Sequence, residues 1–344
     1  MAKNIAAFLD GTWDTYKEGV GNNSNVGTMY GAAVNDGQRQ VTHYTRGVGT
    51  DWYDRIKGGV AGAGLNDRIQ DAYQFITDNY DDGDAIFIFG FSRGAYEARS
   101  LGGMIDRVGL LDRTRFAATN RRDMFDIIFR NYTRPKDDAN NTLVANFKKT
   151  NCVDAPIKMI GVWDTVGALG VPVFATTTTL FVPGFHDLSL GPRVENAYHA
   201  MAIDEERFDF QPTYWDPATV RAGQHLEQVY FAGVHSDVGG GYDDDHSLAD
   251  ITLCWMASRA RKHGLLFTDD KFGTACADDA PYGTLHDSFS ALYEGRGRFY
   301  RVVDPGMTLH KSVQSRLGDT QNRAKPGKYA PTNLKPDTKY DFVE

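Results

Sequence analysis

The sequence has few cysteines and no pattern typical of a metal or disulfide framework. It contains three cysteines in 344 residues, at Cys152, Cys254 and Cys276, and no C-x-x-C pair. Zinc sites need closely grouped cysteines, and disulfide frameworks need an even set at short spacings. We therefore predict ordinary reduced thiols of a cytosolic fold.

Positive charge is also scarce. The chain has 37 Lys and Arg against 45 Asp and Glu, a formal net charge of -8. A general nucleic-acid binder needs a basic face to neutralise phosphates, and no stripe rich in Lys or Arg is present. We predict no nucleic-acid partner and no long-range attraction to an anionic membrane.

The N-terminal segment lacks the pattern of a signal peptide. Its apolar stretch at residues 4–9 is short, has Lys3 as its sole basic lead-in, and runs directly into Asp10. We predict synthesis in the cytoplasm, and any export would use a route without a cleaved leader.

The features that are present indicate a globular α/β protein. Hydrophobic residues make up 41% of the chain, enough for one large core. Apolar runs predict strands at 4–9, 85–89, 157–162 and 228–232, and alternation predicts a short strand at 40–44. Helical spacing and capping residues predict helices at 24–35, 66–79, 94–107, 192–202 and 247–263. The alternation predicts an α/β-hydrolase-type architecture, a mostly parallel doubly wound sheet with helical insertions.

A G-x-S-x-G sequence at residues 90–94 stands between an apolar strand and a helix. In a nucleophile elbow the serine occupies a sharp strand-to-helix turn, and the glycines remove side chains that would collide with the neighbouring strand and helix. The pentapeptide alone is unspecific, but its context is specific. We predict Ser92 as the nucleophile of a serine hydrolase, against the alternative of a glycine-rich turn with a capping serine.

The partners of such a serine follow it in the order acid, then histidine, each just past a strand. Asp164 follows the strand at 157–162, and His235 follows the strand at 228–232. Because parallel strands end at one edge of the sheet, we predict that His235 takes the Ser92 proton and that Asp164 orients the imidazole. The alternatives are a helix N-cap role for Asp164 and His246 as the base.

Two loops are candidates for the oxyanion hole. The backbone N–H of Arg93 is the predicted first donor, and the Gly11-Thr12 loop is the predicted second. Asp10 could orient that loop by hydrogen bonds, or it could bind a metal ion. Asp237 is a further candidate for a supporting or metal-binding role.

Acidic motifs do not match known metal or phosphoryl sites. D-G-T at residues 10–12 lacks the preceding acid of aspartyl-phosphate phosphatases, since that position is Phe8. The turn at 239–245 could hold a cation through its acids, but it lacks calcium-loop spacing and a solvated turn is favoured. We predict neither a metal nor a cofactor.

Two insertions and an extension complete the predicted organisation. We predict a hydrolase domain at 1–265, with insertions at about 112–150 and 165–190, and a C-terminal extension at 266–344 that packs on or trails from it. The second insertion could be a lid or acyl-chain pocket, or a loop packed on the core. Its prolines, Pro172 and Pro183, exclude a membrane span.

The motifs together resemble a known family. The matching segments are FLDGTW at 8–13, GFSRGAY at 90–96, GVWDTVG at 161–167 and GVHSDVGGGY at 233–242, with Asp204, Glu205, Arg207 and Trp215 between the last two. They resemble the uncharacterised α/β-hydrolase domain family that includes the type VI secretion phospholipase effectors. The resemblance implies an α/β-hydrolase fold with a triad at Ser92, Asp164 and His235. For the effectors it implies phospholipid hydrolysis and delivery into rival bacteria.

The leading functional hypothesis is a serine esterase of phospholipase or lipase type, acting through an acyl-enzyme on Ser92. Its partners would be a lipid or other acyl-ester substrate, a transiently contacted membrane, and an immunity or adaptor protein; no oligomeric state is predicted. The alternatives are a non-catalytic interaction module on the same fold and a metal-dependent hydrolase using Asp10.

Overall fold

The computed structural model describes residues 2–11, 16–17, 23–47, 61–116, 118–166, 188–268, 280–289, 297–304, 306–321, 327–335 and 339–344. The strands are β1 Asn4–Leu9, β2 Gln40–Thr45, β3 Ala85–Phe91, β4 Leu110–Leu111, β5 Cys152–Val153, β6 Ile157–Trp163, β7 Asn196–Ala202, β8 His225–Phe231, β9 Thr308–His310 and β10 Asp341–Val343. The helices are α1 Asn25–Ala32, α2 Ala61–Asn79, α3 Arg93–Val108, α4 Ala118–Tyr132, α5 Asp138–Asn151, α6 His235–Gly239, α7 Ser247–Lys262 and α8 Lys311–Arg316.

Eight strands form one sheet in the order β2-β1-β3-β6-β7-β8-β9-β10. Every pairing in it is parallel. The chain moves outward from β1 to β2, then returns to place β3 on the opposite side of β1. This reversal creates a switch point between β1 and β3, and open α/β sheets bind ligands in the crevice at such a point. The α/β-hydrolase architecture and the doubly wound sheet are confirmed.

Apolar side chains leave both faces of the sheet and pack under helices. On β1, Ile5 and Leu9 face a core with residues of α2 and α3, whereas Phe8 faces a second core with residues of α1 and α7. Alternate residues of a strand point to opposite faces, so a strand covered on both sides must be apolar throughout. The uninterrupted apolar run before the G-x-S-x-G sequence follows from this.

The predicted helix at 192–202 is wrong. Residues Asn196–Ala202 form β7, which pairs with β6 on one side and β8 on the other. The alanines and Pro192 favour a helix locally, but pairing in the centre of a buried sheet outweighs that preference. The loop predicted at 233–245 also differs, because it contains the short helix α6.

The expectation of three reduced cysteines is wrong for Cys254, which is disulfide-bonded. Cys152 is free. Disulfide formation depends on the distance and orientation of two side chains in the fold. Spacing along the sequence does not contain that information when only three cysteines are present.

Residues beyond 265 contribute to the sheet and to its core. β9 pairs with the end of β8, and β10 pairs with β9. Val303 and Leu309 are buried in a third cluster with Met201 and Tyr230. The proposed boundary at 265 stays a prediction, and the described part of the extension packs on the sheet.

The two insertions differ in how far they can be described. The segment at about 112–150 contains α4 and α5. Most of the segment at 165–190, including its predicted lid or acyl-chain pocket, lies outside the described residues. Within the described chain, no helix combines the length and apolar character needed to cross a membrane.

Candidate active site

Ser92 stands at the turn between β3 and α3. Its backbone has φ 57° and ψ -118°, in a region that non-glycine residues rarely occupy. Its N–H donates to the carbonyl oxygen of Trp163 on the neighbouring strand at 3.1 Å, and the residue is 8% exposed. Such strain at a strand-to-helix turn is a property of nucleophile elbows.

The two glycines of the motif allow this turn to pack closely. A Cβ on Gly90 would lie 2.3 Å from the carbonyl oxygen of Gly94, and a Cβ on Gly94 would lie 2.1 Å from that of Leu9. Only a residue without a side chain fits either position. The start of α3 therefore lies directly against the end of β1.

Asp164 and His235 are in direct contact. Asp164 follows β6, His235 begins α6, and His235 Nδ1 lies 2.6 Å from Asp164 Oδ2. The N–H of Ala202 donates to Asp164 Oδ1 at 3.0 Å. No helix of the described chain begins at Asp164, so the structure does not give it the alternative role of an N-cap.

The His235 imidazole is enclosed by two aromatic rings. The Phe91 ring lies against it at a centroid distance of 4.6 Å with the planes tilted by 32°, and Phe210 meets it edge-on at 4.9 Å. Gly239 has no side chain to obstruct Phe91, since a Cβ there would lie 2.0 Å from that ring. Burial lowers the pKa of His235 below its ordinary value, and the hydrogen bond and charge of Asp164 only partly oppose this.

His235 lies beside the elbow, because its ring contacts the ring of Phe91, the residue before Ser92. Both residues are described, and no hydrogen bond joins the Ser92 hydroxyl to His235. Catalytic hydrogen bonds are often long without substrate and shorten in the complex. The elbow lies at the carboxyl end of β3, and Asp164, whose carboxylate contacts His235, lies at the carboxyl end of the neighbouring strand β6.

The predicted oxyanion loops lie on both sides of the switch point. Arg93 is the first residue of α3, where aligned amide dipoles favour negative charge. The N–H of Gly11 donates to Asp10 Oδ1 at 2.8 Å, so in this conformation it is engaged by a carboxylate. Thr12 lies outside the described residues.

Asp10 connects the loop after β1 to neighbouring elements. Besides Gly11, its carboxylate accepts hydrogen bonds from the hydroxyls of Ser24, at 2.6 Å, and Tyr44. Ser24 also caps α1 and forms an isolated bridge with Gly240, beyond α6. Burial raises the pKa of Asp10, and these hydrogen bonds oppose the rise. Of the two roles predicted for Asp10, orientation of the loop and metal binding, this arrangement supports the first.

Asp237 pairs with a different histidine, His286, and His246 lies at the start of α7. Asp237 Oδ1 lies 2.5 Å from His286 Nδ1, and its Oδ2 accepts the N–H of Val234 at 2.9 Å. His246 precedes α7, and its side chain caps no backbone group there. Among the residues that the structure describes, no group of three or more His, Cys, Asp or Glu side chains is arranged to hold a metal ion.

One protein-family model matches most of the chain. The model described as "T6SS, Phospholipase effector Tle1-like, catalytic domain" matches residues 3–259. The chain belongs to this family. Membership in the Tle1-like catalytic-domain family supports a hydrolase of the lipase or esterase class, and the name of the family associates it with type VI secretion.

Individual relatives add less. "Uncharacterized protein YEL023C" of Saccharomyces cerevisiae is 28% identical over 243 residues, which cover 62% of this chain and 33% of that protein. The match thus spans about a third of the yeast protein's length.

Two solved structures show weak similarity. An uncharacterized protein from Pseudomonas aeruginosa is 17% identical, with a TM-score of 0.43 over 79% of this chain and 47% of its own. Thermogutta terrifontis esterase 2, phosphoramylated by tabun, is 14% identical, with a TM-score of 0.39 over 77% of this chain and 84% of its own. Similarities this low carry no inference about function.

A buried arginine outside the family match contacts the Asp164 carboxylate. Arg301, which is 2% exposed, donates from Nη1 to Asp164 Oδ1 at 2.6 Å and from Nη2 to Oδ2 at 2.9 Å. Burial alone would raise the pKa of Asp164, but the charge and hydrogen bonds of Arg301 and His235 hold it well below its usual value. The sequence contains no motif around Arg301 that could have identified it.

Glu205 supports the backbone of the histidine. Its Oε2 accepts the N–H of His235 at 3.2 Å, and its carboxylate binds the Arg207 guanidinium through Nε and Nη2, each at 2.8 Å. Ser288, from the extension, donates to the same carboxylate at 3.0 Å. Glu205 and Arg207 belong to the family signature quoted above, whereas their role beside His235 became visible only in the fold.

Proposed function

We propose that the chain is a serine hydrolase that cleaves a carboxylic ester of a phospholipid or another acyl lipid. The observation that carries the proposal is the contact between His235 and Asp164 beside the strained turn at Ser92. The elbow lies beside the switch point of the sheet, where α/β proteins bind their ligands, and Asp164 follows the adjacent strand β6. Family membership supports the same class of reaction.

The proposed reaction begins with the proton arrangement of the imidazole. His235 donates Nδ1–H to Asp164, which leaves Nε2 as the acceptor. Ser92 Oγ attacks the ester carbonyl carbon as Nε2 takes its proton, and the carbonyl oxygen becomes an oxyanion. The bond to the leaving alcohol then breaks as the imidazolium returns the proton to that alcohol, which leaves an acyl group on Ser92.

A water molecule completes the cycle. It attacks the acyl-enzyme while Nε2 accepts its proton, and the proton then passes to Ser92 Oγ as the carboxylic acid is released. The N–H of Arg93 is our proposed first donor to the oxyanion. The Gly11 N–H would have to exchange Asp10 for the oxyanion, so we propose the Thr12 N–H as the second donor.

The test is covalent labelling with a fluorophosphonate probe. We expect wild-type protein to label and Ser92→Ala to lose labelling and turnover of phospholipid vesicles, because the variant lacks the attacking oxygen. Ser100→Ala is the matched control, since Ser100 is also buried in α3 but lies two helical turns from the elbow.

Three outcomes would contradict the proposal. Wild-type activity in Ser92→Ala would remove the serine mechanism. Absence of labelling and ester hydrolysis in folded wild type would favour the non-catalytic interaction module. Activity abolished by a chelator and restored by a divalent cation would favour the metal-dependent alternative using Asp10.

Export and partners form a separate part of the proposal. The family name supports secretion, and we propose leaderless export through a secretion apparatus, transient contact with a membrane, and binding by an immunity or adaptor protein. Appearance of the protein in culture medium only when that apparatus is intact would support the route. Equal amounts without the apparatus would overturn it.

A further inference from the structure

Arg301 makes four hydrogen bonds that fix its guanidinium. Two go to the two oxygens of Asp164, at 2.6 and 2.9 Å. The others go to the backbone oxygens of Ala202, at 2.6 Å, and Phe210. The side chain is 1% exposed, so water does not screen its charge as it would at the surface.

The contact constrains how Asp164 meets the imidazole. A planar guanidinium that binds both carboxylate oxygens fixes the plane of the carboxylate, which a point-like ammonium does not. The N–H of Ala202 holds Oδ1 from a further direction. Oδ2 is therefore held in place to accept a hydrogen bond from His235 Nδ1. That hydrogen bond favours the tautomer with the proton on Nδ1, which leaves Nε2 as the acceptor.

Arg301 also changes the charge that the imidazole experiences. Its Nη2 and His235 Nδ1 contact the same Asp164 oxygen, so the two cations would lie within the distance of about 6 Å at which charges shift one another's protonation. Among the residues that the structure describes, the other charged groups near His235 are Glu205 and Arg207, which pair with each other, and Asp237 on α6, which pairs with His286. Arg301 therefore offsets part of the attraction that Asp164 exerts on a proton at His235.

We propose that Arg301 is a positioning residue that aligns Asp164 with His235 and extends the base function of His235 to lower pH. This inference rests on the proposed function. Arg301 lies beyond residues 3–259, so the region matched by the family does not contain it. The extension thus supplies a part of the site, besides packing on the sheet.

The first test compares pH profiles of kcat/KM for p-nitrophenyl butyrate in full-length wild type and Arg301→Gln. Loss of the positive charge should move the acidic limb to higher pH by about one unit or more. The direction is the same whether His235 or Asp164 becomes easier to protonate, since both must be deprotonated to act. An unchanged limb in a folded variant would overturn the proposal.

The control is Arg316→Gln. Arg316 is another fully buried arginine of the extension, and it donates to the backbone oxygens of Pro281 and Gly283, at 2.7 and 2.6 Å. Its loss should lower stability without moving the acidic limb. An equal displacement of the limb by both variants would make the effect one of general loosening and would overturn the proposal.

Arg301→Lys separates geometry from charge and serves if Arg301→Gln does not fold. Lysine keeps the charge but cannot bind both oxygens in one plane, so kcat should fall by about tenfold or more while the acidic limb stays near that of wild type. Wild-type kcat in Arg301→Lys would overturn the positioning role.

An NMR titration of His235 distinguishes failure of this inference from failure of the proposed function. It requires no turnover, so it remains informative if wild type neither hydrolyses esters nor reacts with the probe. The pKa of His235 should lie below its ordinary value of 6.5 in wild type and rise in Arg301→Gln. A wild-type pKa above 7 would overturn the effect of Arg301 on the base.

Discussion

His199 is a second buried histidine beside the site, and its surroundings keep it neutral. It lies on β7, its Nε2 accepts the N–H of Thr165 at 3.1 Å, and its ring meets Trp215 edge-on. Burial, with a contribution from the charge of Arg99, lowers the pKa of His199 to about 3. A neutral imidazole at this position adds no positive charge near Asp164.

Replacement of this residue should change how stability depends on pH. In the unfolded chain His199 gains a proton near pH 6.5, whereas in the folded protein it stays neutral down to about pH 3, so acid favours unfolding. We expect His199→Gln, which can still accept from Thr165, to gain about 2 kcal/mol relative to wild type between pH 7 and pH 5. Urea denaturation at the two pH values measures this, and a stability difference that does not depend on pH would refute it.

The candidate site residues that the sequence could predict are those whose chemistry imposes a local pattern. Ser92 needs an elbow, and the elbow needs glycines at fixed positions, so the motif is visible in five residues. His235 and Asp164 could be predicted because each follows an apolar strand. Arg301 could not, since it reaches Asp164 from 137 residues away and only tertiary packing brings them together.

The elements that carry the site depend on a close approach of α3 to β1. We expect Gly94→Ala to destabilise the protein by about 3 kcal/mol, because its Cβ would overlap the carbonyl oxygen of Leu9 at 2.1 Å. Labelling of Ser92 should fall as well, since the overlap separates the elbow from the loop after β1.

Gly103→Ala in the same helix is the matched control for Gly94→Ala. Its nearest contact would be the end of the Tyr132 side chain at 3.1 Å, which can shift, so stability should change by less than about 1 kcal/mol. Urea denaturation and the labelling rate are the two measurements. Equal stability and equal labelling of Gly94→Ala and Gly103→Ala would show that the close packing of α3 against β1 is not essential.

Element type was predictable where pattern and tertiary environment agree. The run before Ser92 is apolar because β3 is covered on both faces, and it was correctly predicted as a strand. For β7 the two disagree: the segment Asn196–Ala202 is rich in alanine, but its backbone pairs with two neighbours. A central position in the sheet is a property of the whole chain, and no window of sequence contains it.

At the scale of the whole molecule, the extension and the sheet should unfold together. Leu309 on β9 is fully buried with Val303 and Met201, so Leu309→Ala should cost about 3 kcal/mol. Leu317, which is 45% exposed, provides the matched control, and Leu317→Ala should change stability by less than about 0.5 kcal/mol.

The measurement for this prediction is urea denaturation followed by circular dichroism and by labelling of Ser92. The two signals should be lost at the same urea concentration in wild type and in Leu309→Ala. Loss of labelling in a separate, earlier transition would show that the extension unfolds on its own.

Arg301 follows the other proposed site residues in the sequence and is therefore synthesised after them. Synthesis proceeds from the N-terminus, and domains fold as they emerge. Ser92, Asp164 and His235 all leave the ribosome before Arg301 does, so a nascent chain that has exposed all three still lacks the guanidinium that holds the carboxylate. A product ending between His235 and Arg301 would carry the three proposed catalytic side chains without the guanidinium that aligns Asp164. On the proposed function, the chain therefore reaches its full activity only after translation has passed Arg301.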